Sequence, residues 1–243
     1  MIGLDRPIKP KWIYRLLTIL KIGDNPSNYN QPFEEIAEEL IGKEGKRKVR
    51  TIIFRSFVYS MQKKKTTIEN NKFIEWSKTL SLEEIAPLLL LKILIDYDVA
   101  RFTTNKMSLI ADSSNIINTD ILTQKIVQEY GDRDLTKRSL RSFLKTLEHF
   151  GIIEEKDLKT FRIIKKFNLT DEQKKLFLLT YAAEYLKSEI VDLNKIESTF
   201  IYFIENPDFK QTAREYNNQA WEYVRETGRE MVIVRRWFYV CGI

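Results

Sequence analysis

The chain has 243 residues, 43% of them hydrophobic and 30% charged, so it can bury a core without disulfides and is not a disordered chain. A formal net charge of +6 and a pI near 9.1 favour an anionic partner without naming one. Cys241 is the single cysteine and His149 the single histidine. A disulfide framework, a cysteine zinc site and a multi-histidine metal site are therefore excluded within one chain.

The cysteine usage fits a reducing, cytoplasmic compartment. Residues 1–10 lack the apolar core of a signal peptide. The most apolar run, 85–95, is interrupted by Pro87 and Lys92 and falls short of the roughly 20 residues a membrane span needs, so no membrane partner is expected. Few glycines and prolines among many Leu, Ile, Lys and Glu residues suit helices joined by short loops.

In chain order, Pro10 can open a helix at its first position, with Trp12, Leu16, Leu17 and Leu20 on its apolar face. Residues 23–31 read as a polar, Asn-rich loop. Pro32 then opens a helix with Glu34 and Glu35 in its first turn, ending near Gly42. A third helix is predicted over 46–61, with Ile52, Ile53, Phe54, Phe57, Val58 and Met61 as its apolar positions. Residues 43–65 hold nine Lys/Arg and one acid, Glu44, the densest positive charge in the chain. Lys63, Lys64 and Lys65 suit a helix C-terminus. Lys46, Arg47 and Lys48 fall at the end the helix dipole disfavours, at a cost of roughly 0.3–1 kcal/mol each. That placement makes them, with Arg50, candidate anion contacts, against the alternative of a solvated helix end.

Ser81-Leu82-Glu83-Glu84 is a capping box that starts a buried helix running to about Tyr97. Residues 105–111 read as a short helix. Asp112-Ser113-Ser114-Asn115 is the best linker, and it bounds a basic helical domain over 1–114.

Residues 115–168 read as a winged helix-turn-helix. The first helix spans 119–130, capped by Asn118 and stopped by Gly131; the turn is Asp132-Arg133-Asp134; the second helix spans 135–150 and stops at Gly151. Leu140, Phe143, Leu144 and Leu147 form its buried stripe, and Lys137, Arg138, Arg141 and Lys145 the opposite face. An extended segment follows from Ile152 and Ile153, then a charged turn over 154–159 and a returning strand over 161–167. Residues 132–166 carry ten Lys/Arg against six Asp/Glu. In such units the second helix enters the major groove. The same arrangement also serves for docking protein, and a basic helix face is often only a solvated one.

The remaining region, 169–243, is predicted as helices ending in a strand. Thr170 caps a helix over 171–187 with Leu176, Leu179, Ala183 and Leu186 buried. Residues 194–206 read as helical, with Phe200, Ile201 and Ile204 inside, and 209–226 as a helix carrying Tyr216, Trp221 and Tyr223 and ended by Gly228. Residues 229–240, with Trp237, read as a strand able to pair with the wing. The sequence contains no internal repeat and no low-complexity tract.

Catalytic machinery is thin. His149 reads as a helix-end residue facing the dipole, not as a triad base. No phosphate-binding glycine motif is present. Glu154-Glu155-Lys156 has a spacing found in some metal-dependent nucleases, but it falls on the wing with no Asp-bearing strand before it. Trp76 and Tyr216 could stack on bases, with core packing the more ordinary role for both. No enzyme activity and no cofactor are expected.

The order of these pieces resembles a known family. Lys46-Arg47-Lys48-Val49-Arg50 leads into an apolar helix, Ser81-Leu82-Glu83-Glu84 opens another, and Ser139-Leu140-Arg141 runs through to Gly151-Ile152-Ile153. The first two-thirds of the chain is similar to the small BrxA component of BREX phage-defence systems. That resemblance implies a helical DNA-binding protein with other defence proteins as partners. The expectation is a mainly α, non-enzymatic binder of duplex DNA that uses Lys46, Arg47, Lys48, Arg50, Lys137, Arg138, Arg141 and Lys145, chiefly on phosphates. A protein-interaction scaffold and an RNA binder are the competing readings.

Overall fold

At the centre lies a helix that is apolar almost all round. In the computed structural model, which describes residues 3–59 and 66–234, Leu82–Asp96 buries Ile85, Leu88, Leu89, Leu90, Leu91, Ile93 and Leu94. Such a helix needs neighbours on every side. The chain supplies α1 (Pro10–Ile19), α2 (Asn30–Ile36), α3 (Lys43–Ile53) and α4 (Lys72–Thr79) before it, with Leu82–Asp96 itself as α5 and α6 (Asp98–Ile110) after it. Of these, α1, α4 and α6 pack directly on α5. Pro10 does open α1, and the Ser81 capping box does open α5.

Three predicted boundaries shift. α2 starts at Asn30 and ends at Ile36, because a short 3-10 turn over Pro26–Tyr29, capped by Asn25, feeds straight into it. α3 starts at Lys43, three residues before the predicted start, and passes into a π-helical turn over Phe54–Val58. The wide turn rotates the helix phase so that Phe54, Ser56, Phe57 and Val58 all face inward. Met61 and Lys63 to Lys65 lie outside the described residues. α6 runs from Asp98 and is far longer than the predicted 105–111, since Tyr97 breaks the chain only briefly in an extended conformation.

Next come β1 (Ile116–Asn118), α7 (Thr119–Tyr130), α8 (Asp134–His149), β2 (Ile153–Asp157) and β3 (Thr160–Ile163). The two helices match the predicted ones closely. Asn118 accepts hydrogen bonds from the amides of Asp120 and Ile121, and Gly131 and Gly151 take the positive φ that ends each helix. β1 has no counterpart among the predicted elements. The expected linker is a tight turn in which Asp112 Oδ1 accepts from the amides of Ser114 and Ile116, and it delivers the chain into β1. Nor is 154–159 all turn: Glu154, Glu155 and Asp157 pair with β3, with a register shift at Lys156, and only Leu158 and Lys159 remain at the tip. The three strands form an antiparallel sheet in the order β1-β3-β2. α6 packs on α7, α8 and β1.

The last part departs most from expectation. α9 (Asp171–Thr180) has the predicted Thr170–Gln173 capping box, but it continues as a second π turn over Tyr181–Leu186. Leu176 is buried as predicted, together with Phe177 and Leu178; through the π turn the buried residues are Tyr181 and Ala182, and Leu186 is exposed. β4 (Ile190–Asp192), α10 (Ser198–Ile201), α11 (Lys210–Glu215), β5 (Glu222–Glu226) and β6 (Arg229–Ile233) follow. The helix predicted over 209–226 stops at Glu215, because Asn218 adopts φ 62° and Trp221 turns back to donate its indole N–H to the Ala213 carbonyl at 2.7 Å. Thr227 and Gly228, both at positive φ, close a β5–β6 hairpin. β6 pairs with β4 and β5, not with the β2–β3 hairpin. Trp237 and Cys241 lie outside the described residues.

The molecule is thus mainly helical with two small antiparallel sheets, and the C-terminal region holds a full sheet instead of one strand. The second sheet has the order β4-β6-β5. Its connection of helix, strand, two helices and hairpin repeats that of residues 98–163, although the sequence carries no repeat. Gln173 ties the second unit to α5: its side chain completes the cap of α9 and donates to the Glu84 carbonyl at 2.8 Å. Deeper, Lys92 of α5 lies 2.5 Å from Glu184 and 2.7 Å from Asp96, all with largely buried side chains. Burial works against the Lys92 charge, but Glu184 and Asp96 outweigh it and hold its pKa above the ordinary lysine value. Among the described residues no helix is long and apolar enough to cross a membrane.

Candidate functional site

α8 is buried on two of its faces. Leu140, Phe143, Leu144 and Leu147 pack inward as their spacing predicts. A second buried strip is polar and small: Ser139, Ser142 and Thr146. There the N-terminal segment crosses the helix. Ile8 donates its amide to Thr146 Oγ1 at 3.0 Å, and Gly3 lies so close that a Cβ on it would stand 2.1 Å from Ser139 Oγ. Residues of this strip three and four apart are the only sequence trace of that crossing, since small side chains let a backbone approach.

Beyond its first turn, where Asp134 and Leu135 are exposed, α8 leaves to solvent a stripe of Arg138, Arg141 and Lys145, with Lys137 and Glu148 half-exposed beside them. The four predicted cations therefore do share a face. Each has a local contact: Lys137 with Asp132 at 2.5 Å, Arg138 with Asp5 at 3.8 Å, Lys145 with Glu148 at 2.7 Å, and Arg141 with the Lys137 carbonyl at 3.3 Å. Exposed pairs of this kind contribute about 0–1 kcal/mol each, so a phosphate can displace them.

The stripe borders a groove of about 560 Å³. Arg141, Lys145 and Lys137 line one wall, Glu155, Leu158 and Phe161 of the β2–β3 hairpin the other, and Thr119 and Thr123 of α7 the end. The hairpin tip is braced. The Lys159 carbonyl accepts from the Thr119 amide at 2.8 Å and its hydroxyl at 2.9 Å, and Lys159 Nζ stands 3.1 Å from Asp120. The hairpin cations Lys156 and Lys159 are absent from the sequence-based set of site residues, because the sequence reads as a turn across this stretch.

The other predicted cluster lies on α3, which packs on α2 and not within the groove. The earlier helix start puts Glu44 in the first turn, where the dipole favours it, next to Lys43 at the first position. Glu44 holds Arg47 in two hydrogen bonds, 2.9 and 2.8 Å, and lies 3.7 Å from Lys48. Lys46 reaches to the Glu34 carbonyl near the end of α2 at 2.8 Å. Arg50 is half-buried, and burial first of all pulls its pKa down. The misplaced charge inferred from sequence thus has a local explanation.

His149 ends α8, as predicted. It is half-buried with its ring 6.4 Å from that of Trp12, and burial, then Lys9 and Lys145, push its pKa below the ordinary value. Trp76 packs edge-on against Phe73 at 5.5 Å, and Tyr216 against Trp221 at 6.1 Å. A wider cleft of about 800 Å³ between the starts of α5 and α9 sets Lys165 and Lys166 against Glu83, Glu84 and Glu205, so its charges largely cancel. Among the described residues no group of three or more His, Cys, Asp or Glu is placed to hold a metal ion.

Comparison with protein-family models, with curated proteins and with solved structures finds no match to this chain.

Proposed function

We propose that residues 98–163 are a winged helix-turn-helix and that the protein is a non-enzymatic binder of duplex DNA, with α8 in the major groove and the β2–β3 hairpin beside it. The observation that carries this reading is the stripe on α8: Lys137, Arg138, Arg141 and Lys145 share one side of the helix, and Lys137, Arg141 and Lys145 line a groove walled by the hairpin. The sheet order β1-β3-β2 and a first helix, α6, packed on α7 and α8 support it. Affinity comes from phosphates, since long flexible cations already held in weak local pairs position a duplex without reading its bases. The α3 cluster adds long-range attraction only, because it lies on a different helix from the groove and lines none of it. The resemblance to BrxA proteins supports a place in a phage-defence assembly, and the cysteine usage a cytoplasmic one.

The test is a titration of a duplex at several salt concentrations. Arg138→Ala with Arg141→Ala should weaken binding to all sequences alike and flatten the log–log salt slope by about 0.9 for each phosphate that is no longer neutralised. Melting should stay within about 0.5 kcal/mol, as both residues are on the surface. Wild-type affinity in that double variant would remove α8 as the binding helix. Binding to no nucleic acid would favour a protein-docking scaffold.

A further inference from the structure

The tip of the β2–β3 hairpin carries an apolar side chain where the monomer has no use for one. Leu158 is 95% exposed, in a two-residue turn that more often takes Asn, Gly or Asp. It is not on a loose loop. Asp157 Oδ1 accepts from the Lys159 amide at 2.8 Å, Asp157 Oδ2 accepts from Thr160 Oγ1 at 2.7 Å, and Thr119 ties the Lys159 carbonyl to the start of α7. The strand register shifts between Glu155 and Asp157, a bulge that twists the tip away from the sheet. Asp157 precedes Leu158 and Lys159 follows it, with Lys156 one residue further back, and Leu158 stands at the edge of the same groove as Arg141 and Lys145.

We infer that this tip is a wedge for duplex DNA: Leu158 enters the minor groove and partly unstacks one base step, while Lys156 and Lys159 hold the phosphates on either side. The inference rests on the reading of α8 as the major-groove helix, which sets the hairpin over the neighbouring minor groove. An apolar side chain pushed between base pairs bends the duplex towards the major groove. A stiff, braced arm suits that task, because the tip loses little further freedom on binding. The hairpin arm itself is not basic, with Glu154, Glu155 and Asp157 beside Lys156 and Lys159; it is Lys137, Arg141 and Lys145 across the groove that favour a polyanion over an apolar protein surface.

The experiment uses the full chain and a short duplex with a fluorophore at each end and 2-aminopurine placed at successive positions. The wild-type protein should shorten the end-to-end distance, as a kink of about 20–90° does, and brighten 2-aminopurine at one or two adjacent positions. Leu158→Asn, which suits the turn, should still bind with the same salt slope but lose both signals; Leu158→Ala should behave alike. Binding by the wild type without bending or brightening overturns the wedge and leaves DNA binding by α8 standing. Bending that survives in both Leu158 variants overturns it too. No binding to the duplex at low salt overturns the wedge together with the α8 reading.

Discussion

Residues 98–163 and 171–233 are built to the same plan, and they end with different surfaces. Each has a helix, a short strand, two helices and a hairpin, with the first strand pairing to the last. In the first unit the second helix of the pair, α8, has 16 residues and spans about 24 Å; in the second unit its counterpart, α11, has six and spans about 9 Å. In the first unit the cations face out over a groove. In the second, Lys210, Arg214 and Arg225 gather on Glu230, at 3.4, 3.1 and 3.9 Å. Burial pushes the Glu230 carboxyl up, but Lys210 and Arg214 outweigh it and hold it below the ordinary glutamate range. Residues 208–230 carry four Lys/Arg against five Asp/Glu, so α11 together with the start of the second hairpin is not basic. The connection of elements is shared; helix length and the destination of the cations decide what each surface can meet.

The largest expected effect tests how the second unit is held. Glu184→Ala removes a partner of buried Lys92 and should cost about 3–5 kcal/mol, read as a lower urea midpoint. An unchanged midpoint would mean that Asp96 alone suffices and that the junction is not electrostatic. Next is the anchor of the first unit. Gly3→Ala puts a Cβ against Ser139 and should cost about 1–3 kcal/mol through the strain of overpacking, or else free the N-terminal segment from α8, seen as faster amide exchange at Ile8. Protection at Ile8 with full stability would show that α8 does not depend on this crossing.

A smaller effect follows from Glu39, which accepts from Lys9 and from the Trp12 indole at 2.7 Å each, while Lys11 lies 3.0 Å away. Lys9 first, then Lys11, pull its pKa from 4.5 to about 2. A depressed carboxylate stabilises the fold above the unfolded pKa and loses that contribution as pH falls through the folded one. Glu39→Gln should therefore lower stability by about 0.5–1 kcal/mol at neutral pH, the range for part-exposed pairs, and the gap to wild type should close between pH 4.5 and about 2. A gap that persists at the acid end would assign the loss to packing. Smallest of all, Lys210→Gln with Arg214→Gln should leave duplex affinity and salt slope unchanged. A flattened slope would make the second unit a partner in binding and erase the contrast with the first.

The sequence by itself determined the local signals. Asn118, Ser81 and Thr170 cap the helices their spacing predicts, and the stripe of Leu140, Phe143, Leu144 and Leu147 is buried, because caps and periodicity act within a few residues. The exposed face of Lys137, Arg138, Arg141 and Lys145 follows from the same period. Only the tertiary structure decided the rest. β1 is three residues long and gains its identity from pairing with β3, a partner far along the chain. The two π turns shift helix phase where packing, not propensity, demands it. Glu222–Glu226 reads as the end of a helix until Asn218 turns the chain and β6 offers its hydrogen bonds. The repeated plan was invisible for the same reason: strand order is a long-range property, and side chains serving different surfaces leave no repeat in the sequence.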